Sequence, residues 1–520
     1  MTVETVFIKS CGMHNLSNTI SYFSKKLHKF SVGVTYMKRT RGIPRRSGLK
    51  GMGAAGALTV FGAKSSLGME GTPGRAVSSA VSGDVRKQIF TKVFSTPFID
   101  THEHLIEEKG RFTGNTHPRV RSDDWTMVLS HYLDSDMRTA GMTQEEYDRF
   151  FSPEIDPIDK WAILEPYWLA IKNTGYGQAV CIALRELYGV DELSSDTVRQ
   201  VQAGYDKVRR PGFYSHILHD IANIESCQVN SLEGTPFMET SMPSFLMQDI
   251  SIVGMFAGPG FKQFGDPTGI TVSSLNDWHK VIDWWFDTYG TYAVAVKSQN
   301  AYSRDIDYER VPAEKVEDIF KKRLAGQSLS PTEVKALEDH LFWRAVDKAT
   351  ECSLPVKLHT GYYAGHSRMP LSRLINNPGS VTDLCQAAPD TQYVFMHICY
   401  PYYEELISAA KQYPNANLDM CWAWIINPVA AKDFLKKYIV TAPANKILTF
   451  GGDYIPVEPV LGHAVIARQG IALALSELVE EGWLRTDNAL ELVDPIMHGN
   501  ARRIFRLNEK SKVLKNVPWG

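Results

Sequence analysis

The segment Asp100-Thr-His-Glu-His104 places two histidines at positions i and i+2, directly after the short apolar run 97–99. Successive side chains of a strand point to opposite faces, so residues i and i+2 share a face. Two neutral imidazoles on one face at a strand end can bind the same metal ion. The segment therefore predicts part of a metal site, with His102 and His104 as ligands.

Three later apolar runs also end on a residue that can bind a metal. They end at His359, His397 and Asp453, and in each run the polar residue follows the apolar residues and does not interrupt them. A single histidine in such a place is by default a hydrogen-bonded core residue. Its repetition at several strand ends favours a shared site, because the carboxyl ends of parallel strands meet at one face of a barrel.

From Thr291 onward, apolar runs alternate with helical segments. The helix over 330–352 is introduced by Ser-Pro-Thr-Glu, which offers an N-cap, a proline at the first helical position and an acidic first turn. This alternation predicts an α/β fold, a (β/α)8 TIM barrel with strands buried on both faces. The predicted strands are 97–100, 224–230, 247–254, 292–297, 355–359, 393–397, 416–421 and 447–453, and the later helices are 380–388, 402–412, 429–437 and 462–481.

The strand ends then carry, in order, His102 and His104, Lys297, His359, His397 and Asp453. This set resembles that of the amidohydrolase superfamily, whose metal-dependent barrels carry it at strands 1, 4, 5, 6 and 8. The resemblance covers about residues 94–507. It includes Asn500-Ala-Arg-Arg-Ile-Phe505, which is similar to the closing helix motif of the superfamily.

Three motifs resemble the amidohydrolase-2 branch, especially members related to the amidohydrolase half of fungal and bacterial glutamine-synthetase-like fusions. They are Lys297-Ser-x-x-Ala-Tyr302, His359-Thr-Gly361 and His397-Ile-Cys-Tyr-Pro-Tyr402. The long helical stretch after strand 1 is also similar to uronate isomerases, another branch of the superfamily.

Neutral imidazoles and a carboxylate suit Zn²⁺, with Mn²⁺ or Fe²⁺ as alternatives, and an open coordination position would let the ion acidify a bound water. We expect His102, His104, His359 and Asp453 to be the metal ligands. The resemblance implies that Asp453 is also the general base, which passes its proton to the leaving group. His397 is expected either to bind a second ion or to polarise a substrate oxygen.

Lys297 decides between one ion and two. In binuclear members of the superfamily a strand-4 lysine is carboxylated and bridges two ions, whereas beside one ion it would remain a cation that faces an anionic substrate; a salt bridge to Asp305 or Asp307 is the structural alternative. We favour one ion, with Lys297 near the substrate. Tyr302, Arg304 and Arg368 are further predicted substrate contacts, because a guanidinium can bind a carboxylate through two hydrogen bonds.

The N-terminus differs from the rest of the chain. Arg45 and Arg46 precede a small-residue apolar run over 51–62, which is too short to span a bilayer comfortably. This pattern resembles a Tat export signal, so we expect a periplasmic protein, with a cytoplasmic one as the alternative. Residues 1–36 are interpreted as a misassigned upstream extension, 37–64 as the signal peptide, 65–92 as a linker and 93–510 as the barrel.

Residues 111–223 are too many for one strand-to-helix connection and show helical spacing, which predicts a helical insertion after strand 1. On that side of a barrel such an insertion serves as a lid, an oligomer contact or a structural elaboration. The chain of 520 residues is 44% hydrophobic with a net charge of −2, which offers no electrostatic attraction for nucleic acid. We expect a small-molecule partner, no integral membrane segment and a possible homo-oligomer.

Three functions remain open. The first is metal-dependent hydrolysis of a C–N or similar bond in a small polar, carboxylated substrate, which we favour from the majority behaviour of the superfamily. The second is a non-hydrolytic reaction on the same barrel, either decarboxylation or an aldose–ketose isomerisation like that of uronate isomerases, because fold and ligands do not determine chemistry. The third is a catalytically silent barrel that binds a ligand.

Overall fold

The computed structural model describes residues 79–113, 121–232, 234–256, 262–367 and 369–519. The chain divides into two units between residues 81 and 82, and the second unit contains the barrel. The predicted signal peptide and upstream extension lie outside the described residues.

Eight parallel strands form one sheet in chain order, which confirms the predicted barrel. Every strand residue is buried except Glu225 and Ser251, as expected for strands that face the barrel interior on one side and helices on the other. The strands are β1 (Phe98–Glu103), β2 (Ile224–Val229), β3 (Leu246–Ser251), β4 (Ala295–Ser298), β5 (Val356–His359), β6 (Tyr393–Met396), β7 (Ala416–Asp419) and β8 (Ile447–Leu448).

Backbone hydrogen bonds join β1 to the segment that follows β8. The amide of Thr101 donates to the carbonyl of Phe450 at 3.0 Å, and the amide of Asp453 donates to the carbonyl of His102 at 2.8 Å. The amide of His104 donates to the carbonyl of Tyr454 at 3.0 Å. These bonds bring the first and last predicted ligand segments of the chain side by side.

The insertion between β1 and β2 is helical, as predicted. It contains α2 (Gly110–Thr113), α3 (Leu133–Thr139), α4 (Gln144–Phe150), α5 (Lys160–Ile171), α6 (Gly175–Tyr188), α7 (Val198–Val208) and α8 (Phe213–Ser215), with a 3-10 helix at Trp125–Leu129 and a π-helical turn at His216–Ile221. Thr143 and Glu146 cap α4 reciprocally.

The remaining helices cover the barrel. They are α9 (Lys262–Gly265), α10 (Leu275–Tyr289), α11 (Ala313–Leu324), α12 (Pro331–Glu351), α13 (Asn377–Ala387), α14 (Tyr403–Gln412), α15 (Ala423–Ile426), α16 (Pro428–Thr441), α17 (Glu458–Glu480), α18 (Thr486–Asp494), α19 (Asn500–Ile504) and α20 (Leu507–Leu514). Shorter 3-10 turns lie at Val253–Phe256, Asp266–Thr268, Asn300–Tyr302, Leu371–Asn376 and Ala444–Lys446, and a π-helical turn at Pro495–Gly499. The predicted N-cap of α12 is present, since Ser330 and Glu333 form a capping box.

A helix, α1 (Ser79–Ser95), precedes β1. Residues 79–92, which the sequence analysis assigns to the linker, lie in this helix. The reason is an apolar pair at helical spacing, because Ile89 and Val93 are four residues apart and both fully buried. Lys92 also pairs with Asp494 of α18 at 2.7 Å.

The barrel interior contains a buried ion pair below the ligand-bearing strand ends. Lys357 of β5 lies 2.6 Å from the carboxylate of Asp249 of β3, and both side chains are fully buried. The ammonium of Lys357 also donates to the carbonyl of Thr101 at 2.7 Å and to the side-chain oxygen of Gln228 at 3.0 Å. The pair therefore links strands β1, β2, β3 and β5 across the barrel.

Among the described residues, one helix is long and apolar enough to cross a membrane by length and composition. It is α17, and 83% of its apolar window is buried inside the fold. Its apolar character is accounted for by its packing, because α17 contacts α6 and α16.

Candidate metal centre

Three predicted ligands meet at the mouth of the barrel. His102 Nε2 and His104 Nε2 lie 3.3 Å apart, and Asp453 Oδ1 lies 3.4 Å from the first and 3.1 Å from the second. All three side chains are buried. The structure thus brings together residues from the first strand and from the loop after the last one, as the strand-end pattern predicts.

The spacing of these atoms fits a divalent cation. Ligands at about 2.0–2.2 Å from one ion stand about 3.3–3.6 Å apart in a tetrahedral site and about 3 Å apart in an octahedral one. The observed separations of 3.1–3.4 Å lie within this span. Burial also lowers the pKa of His102 well below its ordinary value, with Lys297 as the next cause, so its imidazole is neutral and able to bind a metal.

Two carboxyl groups of β1 hold the loop that carries Asp453. The amide of Gly452 donates to Asp100 at 3.2 Å, and the amide of Tyr454 donates to Glu103 at 2.7 Å. Burial raises the pKa of Asp100 to about 7 and that of Glu103 well above its ordinary value. Asp100, which precedes the two histidines, and Glu103, which lies between them, therefore position the predicted third ligand, Asp453.

Glycines allow this loop to approach β1 closely. A Cβ on Gly452 would lie 1.9 Å from Glu103 Oε1, and one on Gly451 would lie 2.9 Å from the sulfur of Cys421. Asp453 itself has a φ of 63°, in the left-handed region that costs a non-glycine residue energy. Backbone strain of this kind is concentrated at functional sites, and here it lies at a predicted ligand.

His359 and His397 lie next to each other at the ends of β5 and β6, with ring centroids 4.4 Å apart. His359 Nε2 lies 2.9 Å from the carbonyl oxygen of Tyr362, which requires a proton on that nitrogen. His397 Nε2 lies 3.7 Å from Asp453 Oδ2. His397 therefore lies beside the Asp453 carboxylate at the candidate centre. The ligand role of His359 stays a prediction.

Lys297 is fully buried at the end of β4. Its ammonium lies 2.6 Å from the sulfur of Met396, and burial lowers its pKa to about 8. Among the described residues its ammonium has no ion pair with Asp305 or Asp307, which were the structural alternative. Asp307 pairs with Arg304 and Lys335 instead.

The three predicted substrate contacts have different surroundings. The ring of Tyr302 lies 4.6 Å from that of His359, at the edge of the site. Arg304 is paired with Glu338 at 3.2 Å and with Asp339, so its guanidinium is neutralised by helix α12. Arg368 lies outside the described residues. Substrate contact by any of the three stays a prediction.

Three residues that no sequence motif marked line the same centre. Gln299 Nε2 lies 3.1 Å from His104 Nε2, and the thiol of Cys421 lies 3.9 Å from Asp453 Oδ2. The ring of Trp422 lies 4.8 Å from that of His397. A signal for Cys421 was present in its position two residues after the end of β7, but no motif marked it.

The helical insertion contributes to the walls of the site. Tyr132, which precedes α3, is buried and packs with ring centroids 5.0 Å from Trp422 and from Tyr454. Arg138 of α3 lies 3.5 Å from His366, which is in the loop after β5. These contacts join the insertion to loops at the face of the barrel that carries the predicted ligands, and its use as a lid, an oligomer contact or a structural elaboration stays a prediction.

Comparison with known proteins agrees with this geometry. Residues 301–507 match the family model described as Amidohydrolase, a stretch that contains β5 to β8. The match supports the amidohydrolase superfamily. "Protein fluG" of Emericella nidulans is 24% identical over 229 residues, which are 42% of this chain and 26% of that protein. The chain thus spans about a quarter of the length of that relative.

Uronate isomerases are similar over a greater length. The uronate isomerase of Corynebacterium efficiens is 21% identical over 468 residues, covering 82% of this chain and 96% of that protein. The solved uronate isomerase of Thermotoga maritima superposes with a TM-score of 0.67 at 14% identity, covering 81% of this chain and 97% of its own. The solved glucuronate isomerase of Caulobacter crescentus superposes with a TM-score of 0.67 at 14% identity, covering 85% of this chain and 97% of its own. At this identity the structural likeness establishes the barrel fold.

Proposed function

We propose that this chain is a metal-dependent aldose–ketose isomerase of a uronate or a closely similar sugar acid. The observation that carries the proposal is the likeness to uronate isomerases along most of both chains. Coverage above four fifths of this chain is reached only if the alignment includes part of the helical insertion. The insertion distinguishes this barrel from a plain one, so its inclusion favours the isomerase over the hydrolase that we first preferred.

His102, His104 and Asp453 would hold the cation. When bound, it would supply a Lewis acid that polarises substrate oxygens. Interconversion of an aldose and a ketose moves a hydrogen between neighbouring carbons, so it needs a base that accepts and returns a proton. Asp453 Oδ1 is the oxygen that pairs with the two histidines, whereas Oδ2 lies 3.7 Å from His397 Nε2, and we assign the proton transfer to Oδ2.

A sugar acid presents hydroxyl groups and one carboxylate. Lys297, at the end of β4, is a buried cation suited to the carboxylate; burial lowers its pKa to about 8, and no carboxylate of the described residues forms an ion pair with it. The amide of Gln299 borders the metal-binding atoms and suits a hydroxyl. Lys297 lies in β4 and Gln299 directly follows that strand, so a shift of this segment would weaken substrate binding more than metal binding.

Turnover of uronates tests the proposal. The full chain, loaded separately with Zn²⁺, Mn²⁺ or Fe²⁺, is incubated with glucuronate and galacturonate, and the ketose product is followed by proton NMR. We expect product with at least one ion and none with Asp453→Asn. Metal-loaded protein that converts no uronate would refute the isomerase assignment.

Hydrolysis is the second candidate, supported by the amidohydrolase family match over residues 301–507. In that reaction Asp453 would accept a proton from the attacking water. The same preparations are offered N-acyl amino acids, γ-glutamyl amides and aromatic carboxylates. Release of amine from the first two classes, without uronate turnover, would establish the hydrolase instead.

Metal content tests the centre separately from the reaction. We expect at least about one equivalent of a divalent metal per chain, because the buried donors satisfy its geometry. The double substitution His102→Ala with His104→Ala should remove about one equivalent of that metal. His216→Ala is a matched control, since His216 is a half-exposed surface residue of the insertion. Unchanged metal content in the double variant would contradict the site.

A further inference from the structure

The two oxygens of the Asp453 carboxylate face different sets of donors. Oδ1 lies 3.4 Å from His102 Nε2 and 3.1 Å from His104 Nε2. Oδ2 lies 3.7 Å from His397 Nε2 and 3.9 Å from the sulfur of Cys421. The ligand atoms of His397, Cys421 and Asp453 all lie within 4.8 Å of one another. One carboxylate therefore joins two groups of metal-binding atoms.

His397 lacks the hydrogen bonds that a buried imidazole normally makes. The residue is 1% exposed, and neither Nδ1 nor Nε2 has a hydrogen-bond partner among the described residues. Most buried side-chain polar atoms in folded proteins are hydrogen-bonded, so an imidazole with both nitrogens unpaired requires an explanation. A cation bound to Nε2 would provide the missing partner.

The backbone holds Cys421 in a specific, strained position. Its φ is 39°, and its amide donates to Asp419 Oδ1 at 2.9 Å. The glycine at position 451 leaves room for the thiol, because a Cβ there would lie 2.9 Å from the sulfur. Asp419 and Gly451 therefore fix the thiol of Cys421 within 3.9 Å of Asp453 Oδ2.

We propose that His397, Cys421 and Asp453 form a second cation position that shares Asp453 with the first and prefers thiophilic ions such as Zn²⁺, Co²⁺ or Cd²⁺. One imidazole, one thiolate and one carboxylate are a donor set suited to these ions. The position does not involve Lys297, whose ammonium contacts Met396. A two-ion centre formed in this way needs no carboxylated lysine.

The second position affects the reaction proposed above, and this consequence rests on that proposed function. Asp453 Oδ2 is the atom that we assign to proton transfer, and a cation bound to it would compete with the proton. Filling the second position should therefore inhibit turnover. Its occupancy itself can be measured without any turnover.

Absorption spectroscopy of the full chain titrated with Co²⁺ tests the site. We expect a thiolate-to-cobalt charge-transfer band in the near ultraviolet that grows as the second ion binds, and about two equivalents at saturation. Cys421→Ser should lose the band and bind about one equivalent. Cys399→Ser is the matched control, because Cys399 is also buried and near His397 but lies outside the cluster; it should keep the band.

A saturated wild-type spectrum without a thiolate band would overturn the proposal, and so would a band that survives Cys421→Ser. Should the serine variant not fold, Cys421→Ala and His397→Gln provide the same comparison. If uronates are turned over, Cd²⁺ should inhibit the wild type at concentrations at least about tenfold lower than Cys421→Ser. A cobalt band without any turnover would support the cation position and contradict only the isomerase assignment.

Discussion

Replacing Lys357 by methionine should destabilise the barrel strongly. Its ammonium lies 2.6 Å from the carboxylate of Asp249 and donates to the carbonyl of Thr101 and to Gln228, so three buried oxygens depend on it. Methionine has a similar length but no charge. It would leave the fully buried carboxylate of Asp249 without its cation and two oxygens without a donor.

Breaking a buried pair by removing one partner costs about 3–5 kcal/mol, and we expect the free energy of unfolding of Lys357→Met to fall by that amount. Replacing both partners removes the uncompensated charge. Lys357→Met with Asp249→Leu should therefore recover at least about 2 kcal/mol of the loss. Such a recovery would show that the loss of unfolding free energy comes from the interaction between Lys357 and Asp249 and not from a general effect of mutation.

The loss should also depend on pH. Burial raises the pKa of Asp249 above its ordinary value of 3.8, and Lys357 opposes that rise. Without Lys357 the native pKa of Asp249 rises further, so the native state of the variant binds a proton that the unfolded state releases. Stability of the variant then falls as pH increases from about 4 toward its raised native pKa, and the difference from wild type widens toward neutral pH.

Urea denaturation of the metal-free full chain, followed by tryptophan fluorescence at several pH values, measures these differences. The dependence of unfolding free energy on urea should be similar in all variants, since they unfold the same surface. A loss below about 1 kcal/mol in Lys357→Met at neutral pH would refute the reasoning, as would a double variant whose loss equals the sum of the single ones.

Three further predictions concern the site and the leader. Gly452→Ala should lower metal affinity and stability by about 1–3 kcal/mol, because the new Cβ would meet Glu103 and displace the loop of Asp453. Isothermal titration measures the metal affinity and urea denaturation measures the stability. Unchanged metal affinity would contradict this prediction. Lys297→Ala should keep its metal and lose substrate affinity; loss of about half the metal, with rescue by short-chain carboxylic acids, would instead support a carboxylated bridging lysine. Changing Arg45 and Arg46 to lysine should retain the precursor in the cytoplasm, and efficient export of that variant would refute Tat export.

The sequence was sufficient for the architecture because its signals are local. The apolar runs, the capping sequence Ser330 to Glu333 and the helical spacing of the insertion each depend on neighbouring residues. A barrel then places strand ends at one face, so the meeting of His102, His104 and Asp453 followed from strand order alone. Helix α1 was missed because Gly- and Ser-rich sequence before it suggested that the linker continued.

Tertiary structure decided which atom of each side chain faces which partner. The Nε2 of His359 lies against the carbonyl of Tyr362, and Arg304 is neutralised by acids of α12, although both residues stand at positions that the sequence marked for the site. Cys421 reaches Asp453 because Asp419 and Gly451 position its thiol. Ring orientation, ion pairing and close backbone approach arise from residues distant in the chain. Sequence spacing therefore determined where the candidate centre lies, and packing determined which side-chain atoms face it.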